Sequence, residues 1–196
     1  MKKVIRIISG IWFYIFGNLF SLFFYKKRFI KGKYFNGKFG GVFSLGWRWI
    51  FNDALARMFL NVNRGVPFPV SPFINIVNPD NIFFDSDDLN NFQGIGKYFQ
   101  ALSGGKIYIG KGSWIANNVG IITSNHNPAD LNNHQEGKNV VLGENCWIGM
   151  NSMILPGVNL GPNTIVGAGS IVTKSFLDGN VVIAGNPAKV IKKNIQ

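Results

Sequence analysis

An aliphatic residue returns at every sixth position through much of the C-terminal half of this chain. The series is Leu142, Ile148, Ile154, Leu160, Val166 and Val172. An amphipathic helix needs apolar returns at three and four residues, and a strand with one buried face needs them at two. A spacing of six fits a chain that coils through flat faces, with one short strand on each face. The sequence therefore predicts a solenoid of stacked coils.

Two more positions of the six-residue unit repeat. A glycine follows most of the aliphatic residues, and four places after each aliphatic residue stands a small one: Cys146, Ser152, Val158, Thr164 and Ser170. We expect the aliphatic and small side chains to fill the interior of the coil. We expect the glycines to permit either a close backbone approach or unusual dihedral angles at the corners.

The same register holds upstream at Ile109, Ile115 and Ile121. Between Ile121 and Leu142 lie twenty-one positions, which is three units plus three residues. The phase is therefore broken, and we predict an inserted loop at residues 123–139. A sixfold spacing of Val70, Ile76 and Ile82 suggests earlier coils.

The run from Asp85 to Asn91 interrupts those early coils. It is rich in acidic and amide side chains, which invites a metal-site interpretation. We favour a solvated turn, because no glycine is placed as it is in a calcium-binding loop.

Charge is concentrated in the N-terminal third. Residues 1–64 contain twelve Lys or Arg and one acid, Asp53, whereas residues 65–196 contain eight of each sign. The whole net charge of +11 therefore belongs to the region that is also rich in aromatic residues. Positive charge interleaved with an apolar run favours a lipid surface over nucleic acid as the partner.

Residues 7–25 are free of charged side chains and predict a helix, or a broken pair of helices. On a helical wheel Arg6, Gly10, Gly17 and Tyr25 fall on one narrow stripe, and the large apolar groups lie elsewhere. We predict that this segment lies in or dips into the membrane interface, with the basic run against anionic lipid. A spanning helix and a helix that only packs on the first coils are the alternatives. Aromatic residues where a small-residue cleavage site should stand disfavour a signal peptide.

The residues that carry a resemblance to a known family form five segments. They are Ile121–Pro128, Asn145–Gly149, Ile154–Val158, Val166–Lys174 and Ala184–Ile191. They resemble the hexapeptide-repeat acyltransferases, in particular the branch of sugar and polysaccharide O-acetyltransferases that includes the galactoside and maltose enzymes. The resemblance implies a mainly β fold, a left-handed parallel β-helix over 65–193. Residues 1–64 would form a hydrophobic, basic, helical N-terminal region that associates with membranes, and the chain would end in a short C-terminal extension.

The resemblance also implies an acetyl-CoA-dependent O-acetyltransferase that needs no metal. His126 matches the catalytic histidine of the family, and an imidazole can accept the proton of a sugar hydroxyl near neutral pH. His134, the second of two histidines, has no assigned duty. The single cysteine, Cys146, occupies a small-residue position, so we expect a buried filler and direct transfer without an acyl-enzyme. The oxyanion donor stays open; Gln100, Asn125 and a backbone N–H are candidates.

Six residues match positions that contact coenzyme A in the family: Trp147, Met150, Ala168, Thr173, Lys189 and Lys192. Trp147 would line the pantetheine slot. Met150 stands where the galactoside enzyme has a serine, so a hydrogen bond from a hydroxyl to coenzyme A is not expected at this position. Lys189 and Lys192 replace arginines and would meet the nucleotide phosphates as point charges.

The family's assembly implies a homotrimer in which His126 of one subunit faces Trp147 of its neighbour. The expected acceptor is a sugar or glycolipid, a unit of a bacterial surface polysaccharide or its lipid-linked precursor. The enzyme would be cytoplasmic, peripheral or monotopic at the inner face of the plasma membrane. The alternatives are an N-acetyltransferase of an amino sugar or small soluble acceptor, and an inactive scaffold. A γ-type carbonic anhydrase of the same fold is disfavoured, since it needs three histidine ligands.

Overall fold

A computed structural model describes residues 2–36 and 41–193. Lys38, one of the twelve basic residues of the N-terminal third, lies outside the described residues. Two α-helices, α1 (Lys2–Phe24) and α2 (Leu45–Phe59), precede sixteen short strands. The strands are β1 (Asn75–Val77), β2 (Ile82–Phe83), β3 (Tyr98–Gln100), β4 (Ile107–Ile109), β5 (Trp114–Ile115), β6 (Gly120–Ile122), β7 (His126–Asn127), β8 (Asp130–His134), β9 (Val140–Leu142), β10 (Trp147–Ile148), β11 (Met153–Ile154), β12 (Asn159–Leu160), β13 (Ile165–Val166), β14 (Ile171–Val172), β15 (Val181–Gly185) and β16 (Ala188–Lys193).

The strands form a coil with three faces, as the sixfold period predicts. The first face stacks β1, β3, β6, β11 and β14, the second stacks β2, β4, β9 and β12, and the third stacks β5, β10, β13 and β15. All pairs within the faces are parallel. From β4 onward the chain visits the second, third and first face in turn. β16 returns antiparallel along β15 as the C-terminal extension.

The predicted interior is confirmed. Each of nine aliphatic residues is at most 5% exposed: Ile109, Ile115, Ile121, Leu142, Ile148, Ile154, Leu160, Val166 and Val172. The small side chains four places later are buried beside them, Thr164 and Ser170 completely. Their hydroxyls donate to the carbonyl oxygens of Gly161 and Gly167, so no unpaired polar group is added to the core.

At the corners of the coil, close backbone approach and unusual dihedral angles belong to two different positions of the six-residue unit. The glycine after the aliphatic residue serves close approach, since a Cβ on Gly143 would lie 2.7 Å from the carbonyl carbon of Gly161 in the next coil. Unusual dihedral angles belong to the fourth place of the unit, which the sequence analysis did not single out. Residues there have φ between 55° and 84°: Gly112, Asn118, Asn145, Asn151, Gly157, Asn163 and Gly169. Each of these residues is asparagine or glycine, because both tolerate the left-handed conformation.

The acidic run of the early coils takes the place of a strand on the third face. Residues Ser86–Phe92 form a 3-10 helix. From it Asn91 donates its Nδ2 to Ser113 O at 2.8 Å and accepts from Ile115 N at 2.9 Å, as a neighbouring strand would. Asp88 accepts from Gly112 N at 2.7 Å, and Lys111 lies 3.3 Å from Asp85. The carboxylates therefore hold this turn against the coil above it.

The predicted N-terminal helix is present as the continuous α1, and its stripe of small and polar residues has a use that the sequence did not reveal. It is the face on which α2 packs. Gly17 fits because a Cβ there would lie 3.0 Å from Trp47 O, and Tyr14 meets Trp47 edge-on at 5.4 Å between ring centroids. The opposite face carries exposed apolar side chains: Val4, Ile5, Ile8, Ile11, Trp12, Ile15, Leu19, Leu22 and Phe23. In length and composition, Val4–Phe24 is long and apolar enough to span a membrane.

A buried ion pair joins both helices to the first coil. Arg57 Nη2 donates to Asp53 Oδ2 at 2.7 Å, and the same carboxylate oxygen accepts from the Tyr25 hydroxyl and from Val70 N. Arg57 Nη1 donates to Val66 O at 2.7 Å. Burial raises the pKa of Asp53, while the hydrogen bond from Arg57 opposes that rise. Removing either partner would leave an uncompensated buried charge.

The corner geometry makes a stability prediction. Gly143→Ala should lower the free energy of unfolding by about 2 kcal/mol, because the new methyl group meets backbone that cannot move aside. Gly169→Asn should change stability little, because Gly169 has φ of 71° in open space and asparagine tolerates that conformation. Urea unfolding followed by circular dichroism would compare the two. Equal losses would contradict the distinct roles of the two positions.

Candidate functional site

The predicted inserted loop lies between β6, which ends at Ile122, and β9, which begins at Val140. Within it β7 and β8 pair antiparallel, and His126 faces His134 across the pair. Ser124 Oγ donates to Gln135 O at 2.6 Å, and Lys138 N donates to Thr123 O at 2.8 Å. These bonds close the base of the loop at the corner that follows the first face.

His126 is exposed, and a backbone contact fixes its ring. Its Nδ1 lies 2.8 Å from Leu131 O. A carbonyl oxygen can only accept, so the neutral ring carries its proton on Nδ1 and leaves Nε2 as a base. The ring of His134 lies against that of His126, with 4.3 Å between ring centroids. The geometry is that of an imidazole held in one tautomer at the surface.

Three of the six predicted coenzyme-binding residues, Trp147, Met150 and Ala168, lie on the third face or at the corner that follows it, and Lys189 and Lys192 lie on β16 beside that face. Trp147 is 55% exposed and pairs with Trp114 on one side and Ile165 on the other. Ile165 pairs in turn with Val182 of β15, and Val182 pairs with Lys192 of β16. Met150 and Ala168 are both exposed at the corner, where Gly169 N donates to Met150 O at 2.8 Å. Lys189, on the C-terminal extension, pairs with Ala184 of β15.

Thr173 is not brought together with that group. It follows β14 on the first face, so it is stacked in line with Leu155 and Ile122, at the corner from which the His126 loop departs. Within one chain the predicted residues therefore fall into two groups, separated by the first face. One group contains His126 and Thr173, and the other contains Trp147 and its neighbours.

Cys146 is a buried filler, as predicted. It is 1% exposed, and its Sγ donates to Gly161 O at 3.4 Å. Burial raises the pKa of its thiol, which disfavours the thiolate. Cys146 therefore points away from any exposed site.

The two side chains considered as oxyanion donors lie near the base of the loop. Gln100 ends β3, pairs with Ile122, and accepts from Thr123 N through its backbone oxygen at 3.0 Å. Its side-chain Oε1 is buried without a partner in the described part of the chain. Asn125 is exposed next to His126. The oxyanion donor remains open between them and the backbone.

Comparison with known proteins decides the family. The bacterial transferase hexapeptide (six repeats) family matches residues 139–174. WcaF of Escherichia coli (strain K12), named for acetyl transfer in colanic acid biosynthesis, is 31% identical over 150 residues, which are 76% of this chain and 78% of that protein. The chain belongs to the hexapeptide-repeat acetyltransferases. Among this family, YJL218W of Saccharomyces cerevisiae, named for acetyl transfer, is 46% identical over 96 residues, and the chain spans about half (48%) of its length.

The fold comparison agrees with this family. The structure of a galactoside acetyltransferase in complex with coenzyme A superposes with a TM-score of 0.54 at 23% identity, over 93% of this chain and 81% of that one. The predicted resemblance and the predicted class, an acyltransferase, are confirmed by the match to WcaF and its family. The individual site roles stay predictions. In the described residues no group of three or more His, Cys, Asp or Glu is placed to hold a metal ion.

The burial of Cys146 predicts resistance to alkylation. Iodoacetamide should leave the native enzyme unmodified and should label it within minutes once urea unfolds it, as mass spectrometry would record. Cys146→Ala should keep the rate of coenzyme A release within about twofold of wild type, since no covalent step uses the thiol. Loss of turnover in a folded Cys146→Ala variant would restore the acyl-enzyme route.

Proposed function

We propose that the protein transfers an acetyl group from acetyl-CoA to a sugar hydroxyl of a bacterial surface polysaccharide or of its lipid-linked precursor, with His126 as general base. The observation that carries this proposal is the contact of His126 Nδ1 with Leu131 O, which leaves Nε2 free to accept a proton. His126 is the histidine that matches the family's catalytic residue, and it stands at the surface where two substrates can reach it.

The reaction proceeds by direct transfer. Nε2 of His126 removes the proton of the acceptor hydroxyl as the oxygen attacks the acetyl carbon of the thioester. The tetrahedral intermediate collapses with cleavage of the carbon–sulfur bond, and the imidazolium returns its proton to the thiolate of coenzyme A. The ester and free coenzyme A are the products. Leu131 O stabilises the imidazolium, because the Nδ1–H bond strengthens when the ring is charged.

The names of the relatives support a hydroxyl acceptor. WcaF is named for colanic acid biosynthesis, and WbbJ of Escherichia coli (strain K12), 34% identical over 74% of this chain and 75% of that protein, is named for O-acetyl transfer in lipopolysaccharide biosynthesis. Both names point to surface polysaccharides. An N-acetyltransferase of an amino sugar or small soluble acceptor is the alternative.

Removal of the base tests the mechanism. His126→Ala should lower kcat by about 10² to 10⁴ with acetyl-CoA and a glycolipid-containing membrane extract, because general-base catalysis is lost. Release of coenzyme A gives the rate, and His134→Ala is the matched control, since it removes the other imidazole of the hairpin. Equal turnover by wild type and His126→Ala would remove His126 from the base role. Faster transfer to amino sugars than to hydroxyl sugars would favour the N-acetyl alternative.

We further propose that the coil is left-handed and that three chains form a homotrimer with the site between neighbours. The support is the separation of the two groups of predicted residues by the first face of one chain. A second copy would bring His126 of one subunit to Trp147 of the next. Coenzyme A would then extend along Trp147, Met150 and Ala168, with Thr173 at the opposite wall and Lys189 and Lys192 near the phosphates.

Mixed trimers distinguish a shared site from a site within one chain. His126→Ala should be co-expressed with Ala168→Trp, which fills the proposed coenzyme slot. Each variant alone should be inactive, whereas the mixture should recover about a quarter of wild-type activity, because each mixed trimer contains one interface with both intact halves. A mixture as inactive as either parent would place the site within a single chain.

Association with the inner face of the plasma membrane completes the proposal. The exposed apolar face of α1, with the basic residues after it, supports an interfacial position through residues 1–64. There the acceptor and cytoplasmic acetyl-CoA would meet. The division into residues 1–64 and 65–193 is a functional one, since the buried core runs without a break from Tyr25 and Phe29 into the coil.

A further inference from the structure

A cavity of about 220 Å³ opens where α1 passes the start of α2. Its polar lining consists of Arg6, Ser9, Ser44 and Arg48, and its apolar lining includes Phe13 and Phe43. The cavity lies far along the chain from the residues assigned to acetyl transfer. None of the predicted coenzyme-binding residues contributes to it.

Ser44 gives this cavity an unused hydroxyl. Ser44 is the residue before the first turn of α2, where a serine side chain normally accepts from the backbone N–H groups of that turn. Here its side chain makes no such bond, and its Oγ is buried without a partner among the described residues. The residue as a whole is only 4% exposed. A buried polar group of this kind costs free energy until a water molecule or a ligand satisfies it.

The charge around this hydroxyl is positive. The N-terminus of a 15-residue helix attracts anions through its dipole and its N–H groups. Arg48 belongs to the first turn of that helix, and its Cζ lies 5.9 Å from the centroid of the Phe13 ring, which positions the guanidinium. Neither Arg6 nor Arg48 forms an ion pair in the described part of the chain. The one acid of residues 1–64, Asp53, is already bound to Arg57.

The surroundings select a lipid rather than a soluble anion. Phe43 is 60% exposed and Leu45 is 45% exposed, and both line the cavity, so exposed apolar side chains stand beside its two arginines. We infer that this cavity binds the phosphate ester of a membrane lipid, with Ser44, Arg6 and Arg48 on the phosphate and the acyl or prenyl chain along Phe43 and Leu45. The inference rests on the membrane association proposed above. It adds the lipid phosphate as the chemical group that would hold the two helices at the membrane surface.

The test titrates the full-length protein in a nonionic detergent by calorimetry. The probes are inorganic phosphate, dihexanoyl phosphatidic acid and farnesyl diphosphate. Either lipid phosphate should bind saturably with one site per chain and more tightly than inorganic phosphate. Tighter binding of the phosphatidic acid would identify bulk phospholipid as the source, and tighter binding of the diphosphate would identify a lipid-linked precursor.

Variants assign the binding to this cavity. Arg48→Lys keeps the charge but loses the planar fork, and it should weaken binding about tenfold. Ser44→Ala changes no charge and should weaken it about fivefold. The matched control is Arg64→Lys, which makes the same change on an exposed residue outside both the cavity and the basic run after α1, and should bind as wild type. Circular dichroism confirms that each variant is folded.

Several results would overturn the inference. They are no saturable binding, binding unaffected by Arg48→Lys and Ser44→Ala, equal weakening by Arg64→Lys, or inorganic phosphate binding as tightly as the lipids. Coenzyme A release is measured on the same samples and separates the two proposals. Turnover without lipid binding removes the phosphate site alone, and lipid binding without turnover removes the transferase proposal alone.

Discussion

Register between stacked coils is the constraint on which the rest of this structure depends. Each coil repeats its aliphatic residue directly above that of the coil below, as in the column Ile121, Ile154 and Val172. Parallel strands a few residues long are stable only because their neighbours bury both the side chains and the backbone polar groups. A shift of one residue would turn each aliphatic side chain to the surface. Variation in length can therefore occur only at corners, and the loop that carries His126 leaves at a corner.

The sequence alone predicted those parts of the fold in which the position of a residue within the six-residue unit determines whether it is buried. The inward residues, the buried Cys146 and the inserted loop are visible in a six-residue pattern because each contact is repeated by the next coil. The left-handed corner residues were equally visible as asparagine or glycine at the fourth place of each unit, for example Asn163 and Gly169. The prediction of unusual dihedral angles was placed on the glycines that adjoin the aliphatic residues, and it was wrong in position by two residues.

Contacts between distant and unrepeated segments could not be predicted in this way. The pairing of α1 with α2 joins Tyr14 to Trp47, and no periodicity links them. Asp53 looked like an isolated acid, although the i, i+4 spacing to Arg57 was a usable signal for an ion pair. The side-chain amide of Asn91 makes the two hydrogen bonds that the backbone of a neighbouring strand would make. Both partners belong to the coil above it, so the sequence around Asn91 does not predict them. The free Ser44 hydroxyl likewise depends on how two helices approach each other.

The number of stacked coils also sets the distance between the proposed catalytic site and the end of the coil that contacts the N-terminal helices. On the first face β6 lies two strands above β1, and neighbouring strands are separated by about 4.8 Å. The loop with His126 therefore departs about 10 Å above the coil that contacts the N-terminal helices. A sugar attached to a lipid at that end could reach this height with one or two residues, whereas a sugar far along a polymer would not need the membrane position proposed for α1. The short distance thus favours an acceptor that is modified while it is still attached to its lipid.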